Sequence, residues 1–331
     1  MKMKTLAAAL LLVGGAAVAT TANASAVITN GTVSLGVNDL GQLNYNGVGV
    51  QYNATGNDGT VYGCPCEGWG AAIVSSGTAG YANNATGIGG LTLVSFTSTA
   101  STAISVSRVG SSLEVTHNYH PIAGTPNLYA DDVTIKNLQT VAIAAGDLRY
   151  RRVMDWDIAP TAFAEYVTIQ GVPAALGIAN GSNVYRTDNN GFNDANPLTF
   201  SSYGLLNTNF TDAGPRDHGA LFDFEFAALD AGAELKFTTY YGAAGTEADA
   251  DLARRLVDGD ASDIDIGLYS YGQASVAGGP TLGIPNTFIF GFNVTGGVFV
   301  PPDTGVPEPG SLALAGLGLA GLAAARRRSA K

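Results

Sequence analysis

Cysteine, histidine and basic side chains are scarce in this chain of 331 residues. Two cysteines exclude a disulfide-dense scaffold and cannot complete a Cys-rich zinc site. Residues 27–305 hold 26 acidic and 10 basic side chains, a formal charge of −16. A surface so acidic has no basic patch to neutralise phosphate, which argues against nucleic acid and anionic lipid as partners. The sequence also lacks a Gly-x-Ser-x-Gly elbow, a Gly-rich phosphate loop and an internal repeat of fixed period. Neither long apolar run, at 6–18 and 311–325, reaches the roughly 20 residues that a spanning helix needs.

What is abundant is Gly, Thr, Ser and Asn, while Lys, Glu and Leu are few, a balance that favours strands and turns over helices. Period-two alternation predicts strands over 33–37, 91–96, 103–107, 113–119, 129–138, 150–158, 220–226, 234–241 and 287–294. Thr246 as cap, Glu247 and Asp249 in the first turn, and Leu252, Leu256 and Val257 as stripe predict a single helix running to Gly259. The expected fold is all-β, a large antiparallel β-sandwich with one short helix. A signal helix at one end and a hydrophobic helix at the other flank it. The expected divisions are 1–26 signal peptide, 27–300 body, 301–305 Pro-rich spacer and 306–331 tail.

The N-terminal segment has the parts of a signal peptide: Lys2 and Lys4, the apolar run, then Ala22-Asn23-Ala24-Ser25-Ala26. Cleavage after Ala24 or Ala26 fits the Ala-x-Ala spacing, which implies a Sec translocon and a signal peptidase as partners. At the other end, Pro307, Glu308 and Pro309 keep the backbone extended, the run 311–325 contains only Ser, Leu, Ala and Gly, and Arg326, Arg327 and Arg328 close it. The Arg cluster marks a cytoplasmic side, so the body faces outward. Residues 306–331 resemble a PEP-CTERM sorting domain in motif, helix and Arg cluster, in that order. The resemblance implies processing by an exosortase, a membrane protease of Gram-negative bacteria that make exopolysaccharide. The product is a surface or extracellular-matrix protein. The short, weakly apolar run suits a temporary hold in the inner membrane better than a lasting anchor. Residues 229–243, Leu-Asp-Ala-Gly-Ala-Glu-Leu-Lys-Phe-Thr-Thr-Tyr-Tyr-Gly-Ala, are also similar in pattern to large mutarotase-like sandwiches, with no residue role implied.

Several constellations carry chemical readings. On a strand at 149–158, Arg149, Arg151, Asp155 and Asp157 share one face, with Tyr150, Arg152, Met154, Trp156 and Ile158 on the other. Asp155 and Asp157 then stand roughly 7 Å apart, a spacing that paired glycosidase carboxylates use. The alternative is a core strand with cross-strand ion pairs outside. His117 and His120 fall on opposite faces, and nothing in the sequence brings His218 to them, so joint metal binding is not expected. Cys64 and Cys66 admit a local disulfide, free thiols or half a metal site. Two Asx-rich loops offer calcium ligands, Asp188 and Asp194 in one and Asp258, Asp260, Asp263 and Asp265 in the other, although neither has the Glu that closes an EF-hand. No other cofactor is expected. The functional expectation is a non-enzymatic, exosortase-processed envelope or matrix protein associated with exopolysaccharide. The competing expectation is a secreted carbohydrate-active enzyme, or a degenerate relative of one, built on Asp155 and Asp157.

Overall fold

The strand Leu113–Pro121 shows how the sequence builds the sandwich. Leu113, Val115, His117 and Tyr119 point inward and are buried, while Glu114, Thr116, Asn118 and His120 face outward. Alternation of this kind makes one face of a sheet bury itself against another. The computed structural model describes residues 25–275 and 282–293. All but Ser25 and Ala26 of the expected signal peptide 1–26, the expected spacer 301–305 and the expected tail with Pro307, Glu308, Pro309 and Arg326 to Arg328 lie outside them. Among the described residues no helix is long and apolar enough to cross a membrane.

Three antiparallel sheets form. The largest has nine strands in the spatial order Phe210–Arg216, Glu165–Gln170, Ile266–Gln273, Thr287–Asn293, Glu234–Ala244, Leu128–Asn137, Leu113–Pro121, Ala103–Val109 and Leu91–Ser98. The second has six: Val184–Asp188, His218–Glu225, Leu148–Trp156, Gly68–Ile73, Thr78–Asn83 and Gly87–Gly89. A four-stranded sheet, Ser25–Thr29, Val33–Asn38, Val50–Tyr52 and Asn57–Asp58, completes the body. The two large sheets meet through aromatic rings: Phe224 against Phe292 at 4.5 Å, Tyr150 against Phe237 at 4.9 Å, and Phe222 against Phe290 at 5.5 Å. The last strand, Thr287–Asn293, lies inside the nine-stranded sheet, paired with Glu234–Ala244 on one side and Ile266–Gln273 on the other.

All nine strands expected from alternation form, within a few residues of the expected bounds. The helix begins as expected, with Thr246 Oγ1 accepting from the Asp249 N–H, but it spans only Glu247–Ala253 and gives way to turns before Gly259. Arg254 explains the early end. Its guanidinium donates to Tyr271 Oη at 2.9 Å and to the Ile266 carbonyl at 2.9 Å, which ties the chain to the sheet. Gly68–Ile73 is a strand that alternation does not announce. Trp69, Ala71 and Ile73 face the core, while a Cβ at Gly70 would stand 2.0 Å from the Ala195 carbonyl oxygen. Only glycine lets the covering segment lie against this strand.

Inside the sandwich, Arg152 is fully buried and charged. Its Nε donates to Glu67 Oε1 at 2.6 Å, its Nη2 donates to Tyr119 Oη at 2.7 Å, and Asp131 Oδ2 stands 3.5 Å from Nη1. Glu67 also accepts from the Tyr241 hydroxyl at 2.9 Å and, through Oε2, from the Leu43 N–H at 2.6 Å. Tyr119 passes its own proton to the Gly41 carbonyl at 2.7 Å. Trp69 stacks beside this network on His117 and Tyr150, and its Nε1 donates to the Leu40 carbonyl. The histidines separate as expected: His117 pairs with buried Asp131, and half-exposed His120 pairs with Asp132 on the outer face.

Removing one partner of a buried ion pair strands the other charge in low dielectric. Arg152→Ala is therefore expected to lower stability by about 3–5 kcal/mol in urea unfolding. Arg152→Lys recovers only a minor part, because one ammonium cannot reach Glu67 and Tyr119 in the fork geometry that a guanidinium provides.

Candidate functional site

The strand Leu148–Trp156 carries a different chemistry on its outward face. Arg151, directly opposite Asp223 on the neighbouring strand, makes a two-pronged pair with it at 2.7 and 2.9 Å. Its remaining N–H groups donate to the carbonyls of Asp194, Asn196 and Thr199. One side chain thus binds the covering segment to the sheet. Arg149 stacks 4.0 Å from the Tyr185 ring centroid. The cross-strand ion pair weighed for this face forms at Arg151, but it does not extend to Asp155 or Asp157.

Those two carboxylates are enclosed, at 1% and 0% exposure. A Cβ at Gly191 would come within 2.6 Å of the Asp155 Cα, so the covering segment packs on the Asp155 main chain, and one at Gly63 would come within 2.6 Å of both Asp157 carboxylate oxygens, so backbone lies directly over that carboxylate. Asp217, on the link between Phe210–Arg216 and His218–Glu225, joins them: an oxygen of each of the three lies within 4.8 Å of the others. Glu165, fully buried at the start of its strand, is close enough to act electrostatically on Asp155, and Asp157 and Asp217 act on it. The site sits where the chain crosses from the nine-stranded sheet to the six-stranded one.

Donors are few here. Asp157 Oδ2 accepts from the Gly63 N–H at 3.0 Å, and Glu165 Oε1 from the His218 N–H at 2.9 Å. The other oxygens, Asp155 Oδ1, Asp157 Oδ1, Glu165 Oε2 and Asp217 Oδ1, have no partner. Asp155 Oδ2 lies 3.5 Å from Cys64 Sγ, but that sulfur is bonded to Cys66 and carries no proton to donate. Among the described residues no ion pair reaches any of the four acids. Loss of water, reinforced by the neighbouring acids, pushes Asp155 up to about 9. Burial pushes Glu165 up to about 8 against the His218 N–H, and Asp157 up to about 6 against the Gly63 N–H.

His218 does not supply the missing positive charge. Its Nδ1 accepts from Asn189 Nδ2 at 3.1 Å and from Arg216 Nε at 3.3 Å, which places the ring proton on Nε2. The Asn189 amide is oriented by its own oxygen, which accepts from the Leu205 N–H. Burial and the adjacent Arg216 hold His218 down at about 4, so it stays neutral.

The sequence-derived calcium loops are placed differently. Asp188 accepts from the Asn190 and Tyr203 N–H groups and from Ser202, and Asp194 accepts from the Asn196 N–H and the Thr199 hydroxyl, so both are engaged in shaping the covering segment. Asp258, Asp263 and Asp265 bring oxygens within 4.8 Å of one another at the surface, whereas Asp260 turns to the Ser262 N–H. Cys64 and Cys66 are joined to each other around Pro65. Sequence reasoning reached Asp155 and Asp157 but missed Glu165 and Asp217. Glu165 did leave a signal, since it lies in phase with the inward Val167 and Ile169 of its own strand. Asp217 left none.

Residues 305–328 match the PEP-CTERM protein-sorting motif. No curated protein matches the chain.

Asp155 is raised in the folded state, so its contribution to stability is full below the ordinary carboxylate range and is lost as pH rises towards 9. Asp155→Asn removes that loss. In the presence of a chelator, the melting temperature of the variant relative to the parent is expected to rise by roughly 5–10 °C between pH 5 and pH 9. A difference that stays flat across this range would contradict the assignment.

Proposed function

We propose that the body is a non-enzymatic sandwich held outside the cell in contact with exopolysaccharide, delivered there by its two terminal signals. The chain carries a sorting motif of exported, exosortase-processed proteins, and this is the observation on which the proposal rests. In the proposed route, the Sec translocon exports the chain and signal peptidase cuts after Ala24. The tail holds it briefly in the inner membrane until exosortase releases the body to the surface or matrix. Cleavage after Ala24 is favoured over Ala26 by the fold. Ser25 opens the first strand opposite Asn38, and its hydroxyl accepts from the Asp39 N–H. A cut after Ala26 would remove two rungs of that ladder.

For the glycan contact, the outer face of the nine-stranded sheet offers a shallow groove of about 420 Å³. Thr116, Asn118, Asp132, Thr134, Lys236 and Thr238 line it. Hydroxyl, amide and charged groups at alternate positions of adjacent strands suit the repeated hydroxyls of a polysaccharide. A glycan-active enzyme is the competing reading. The raised Asp155 and Asp157 favour it, since general acids are tuned by burial in this way. Against it, both side chains are buried, and the backbone at Gly63 lies over the Asp157 carboxylate.

The mature protein from its host is expected to begin at Ser25 and to lack Arg326 to Arg328 in intact-mass and N-terminal analysis. The exported protein is expected to be retained on host exopolysaccharide without releasing reducing ends, and Asn118→Ala with Thr238→Ala to weaken retention several-fold. Sugar release abolished by Asp155→Asn or Asp157→Asn would replace this reading with the enzymatic one.

A further inference from the structure

We propose that Asp155, Asp157 and Asp217 form a divalent-cation site, with Ca²⁺ the ion that fits best, at the seam between the two large sheets. Three carboxylates converge there, with Glu165 nearby, and none of the four has a cationic partner among the described residues. Buried charges in proteins are paired or ligate metals, and an acidic cluster alone can remain merely protonated. A second observation separates these outcomes. Asp157 is fully buried, yet its Oδ1 has no donor. Asp155, equally enclosed, has no N–H or O–H donor on either oxygen. A protonated acid cluster shares its protons in hydrogen bonds between carboxyl groups. Here Asp155 Oδ1, Asp157 Oδ1 and Asp217 Oδ1 have no hydrogen-bond partner.

Coordination chemistry favours one ion. Ca²⁺ accepts carboxylates in flexible, irregular geometry, whereas Mg²⁺ demands a near-ideal octahedron and keeps several of its waters. The oxygens of Asp155, Asp157 and Asp217 lie within 4.8 Å of one another. Every donor is a hard oxygen, as Ca²⁺ requires. His218 takes no part as a ligand, because its Nδ1 is occupied by two donors and its Nε2 holds the proton. Asp217 is only partly buried and provides access from solvent. The ligands come from the end of Leu148–Trp156 and from the link between Phe210–Arg216 and His218–Glu225, so a bound ion would fasten the sheets together where the chain crosses between them.

The surface trio Asp258, Asp263 and Asp265 also gathers its oxygens within 4.8 Å but is largely exposed, and Asp265 already accepts from the Val257 and Asp258 N–H groups. It carries no second indication and serves as the control.

The test is calorimetric titration of the chelator-stripped full chain with CaCl₂, alongside Asp155→Asn, Asp217→Asn and Asp263→Asn. Circular dichroism monitors folding of each variant. One site is expected, with a dissociation constant of about 10⁻⁴ M and at least tenfold weaker Mg²⁺ binding. Asp217→Asn, at a partly exposed position, is expected to weaken Ca²⁺ at least tenfold while remaining folded, and Asp263→Asn to leave it unchanged. Binding retained in Asp217→Asn, lost in Asp263→Asn, or absent from the parent chain would overturn the assignment.

Discussion

Arg152 is fully buried, and the rest of the sandwich is arranged around that fact. A guanidinium in a dry core needs counter-charge and acceptors in fixed directions. Glu67 arrives from the approach to one strand, Tyr119 and Asp131 from the opposite sheet, and the Gly41 carbonyl from the small sheet through the Tyr119 hydroxyl. Each of the three sheets therefore contributes to satisfying one side chain. Apolar packing would tolerate small slips between sheets, whereas a directional network of this kind admits one register. The aromatic layer around it, from Trp69 to Phe292, fills the volume that this register leaves.

A single strand, Leu148–Trp156, shows two ways of handling buried charge. On its inner face Arg152 is balanced by acids, and on its outer face Arg151 is balanced by Asp223 while it holds three carbonyls of the covering segment. Beyond Arg151 the balance stops, and Asp155 and Asp157 face other acids. A protein that balances its interior cations so completely leaves the acids of this corner without a counter-charge among the described residues. The cost is concentrated at the point where the chain passes between sheets, which is where an added ion would gain most.

Much of the sandwich was legible because alternation reports a strand with one dry and one wet face. Leu113–Pro121 and Leu128–Asn137 are of this type. Gly68–Ile73 was not, because both of its faces are buried and small residues replace the pattern of alternating polarity. Phe210–Arg216, a largely exposed edge strand containing Pro215, was unreadable for the opposite reason, having almost no dry face. Parity along one strand correctly separated Arg152 from Asp155 and Asp157. Parity says nothing about which distant segment lies opposite, so Glu67, Glu165 and Asp217 emerged only from the fold. The helix end was misplaced because Leu252, read as part of an apolar stripe, is exposed, while the tie that ends the helix comes from Arg254.

The position of Thr287–Asn293 bears on timing. This is the last strand in the described chain, and it lies between two strands made earlier, not at an edge. For a chain threaded across a membrane from its N-terminus, the nine-stranded sheet stays in two unjoined parts until residue 293 has emerged. Ile266–Gln273 and Glu234–Ala244 meanwhile present open hydrogen-bonding edges to each other and to any neighbouring chain. Only about a dozen residues separate Asn293 from the start of the sorting motif. For such a chain, completion of the nine-stranded sheet and emergence of the sorting motif are thus nearly the same event.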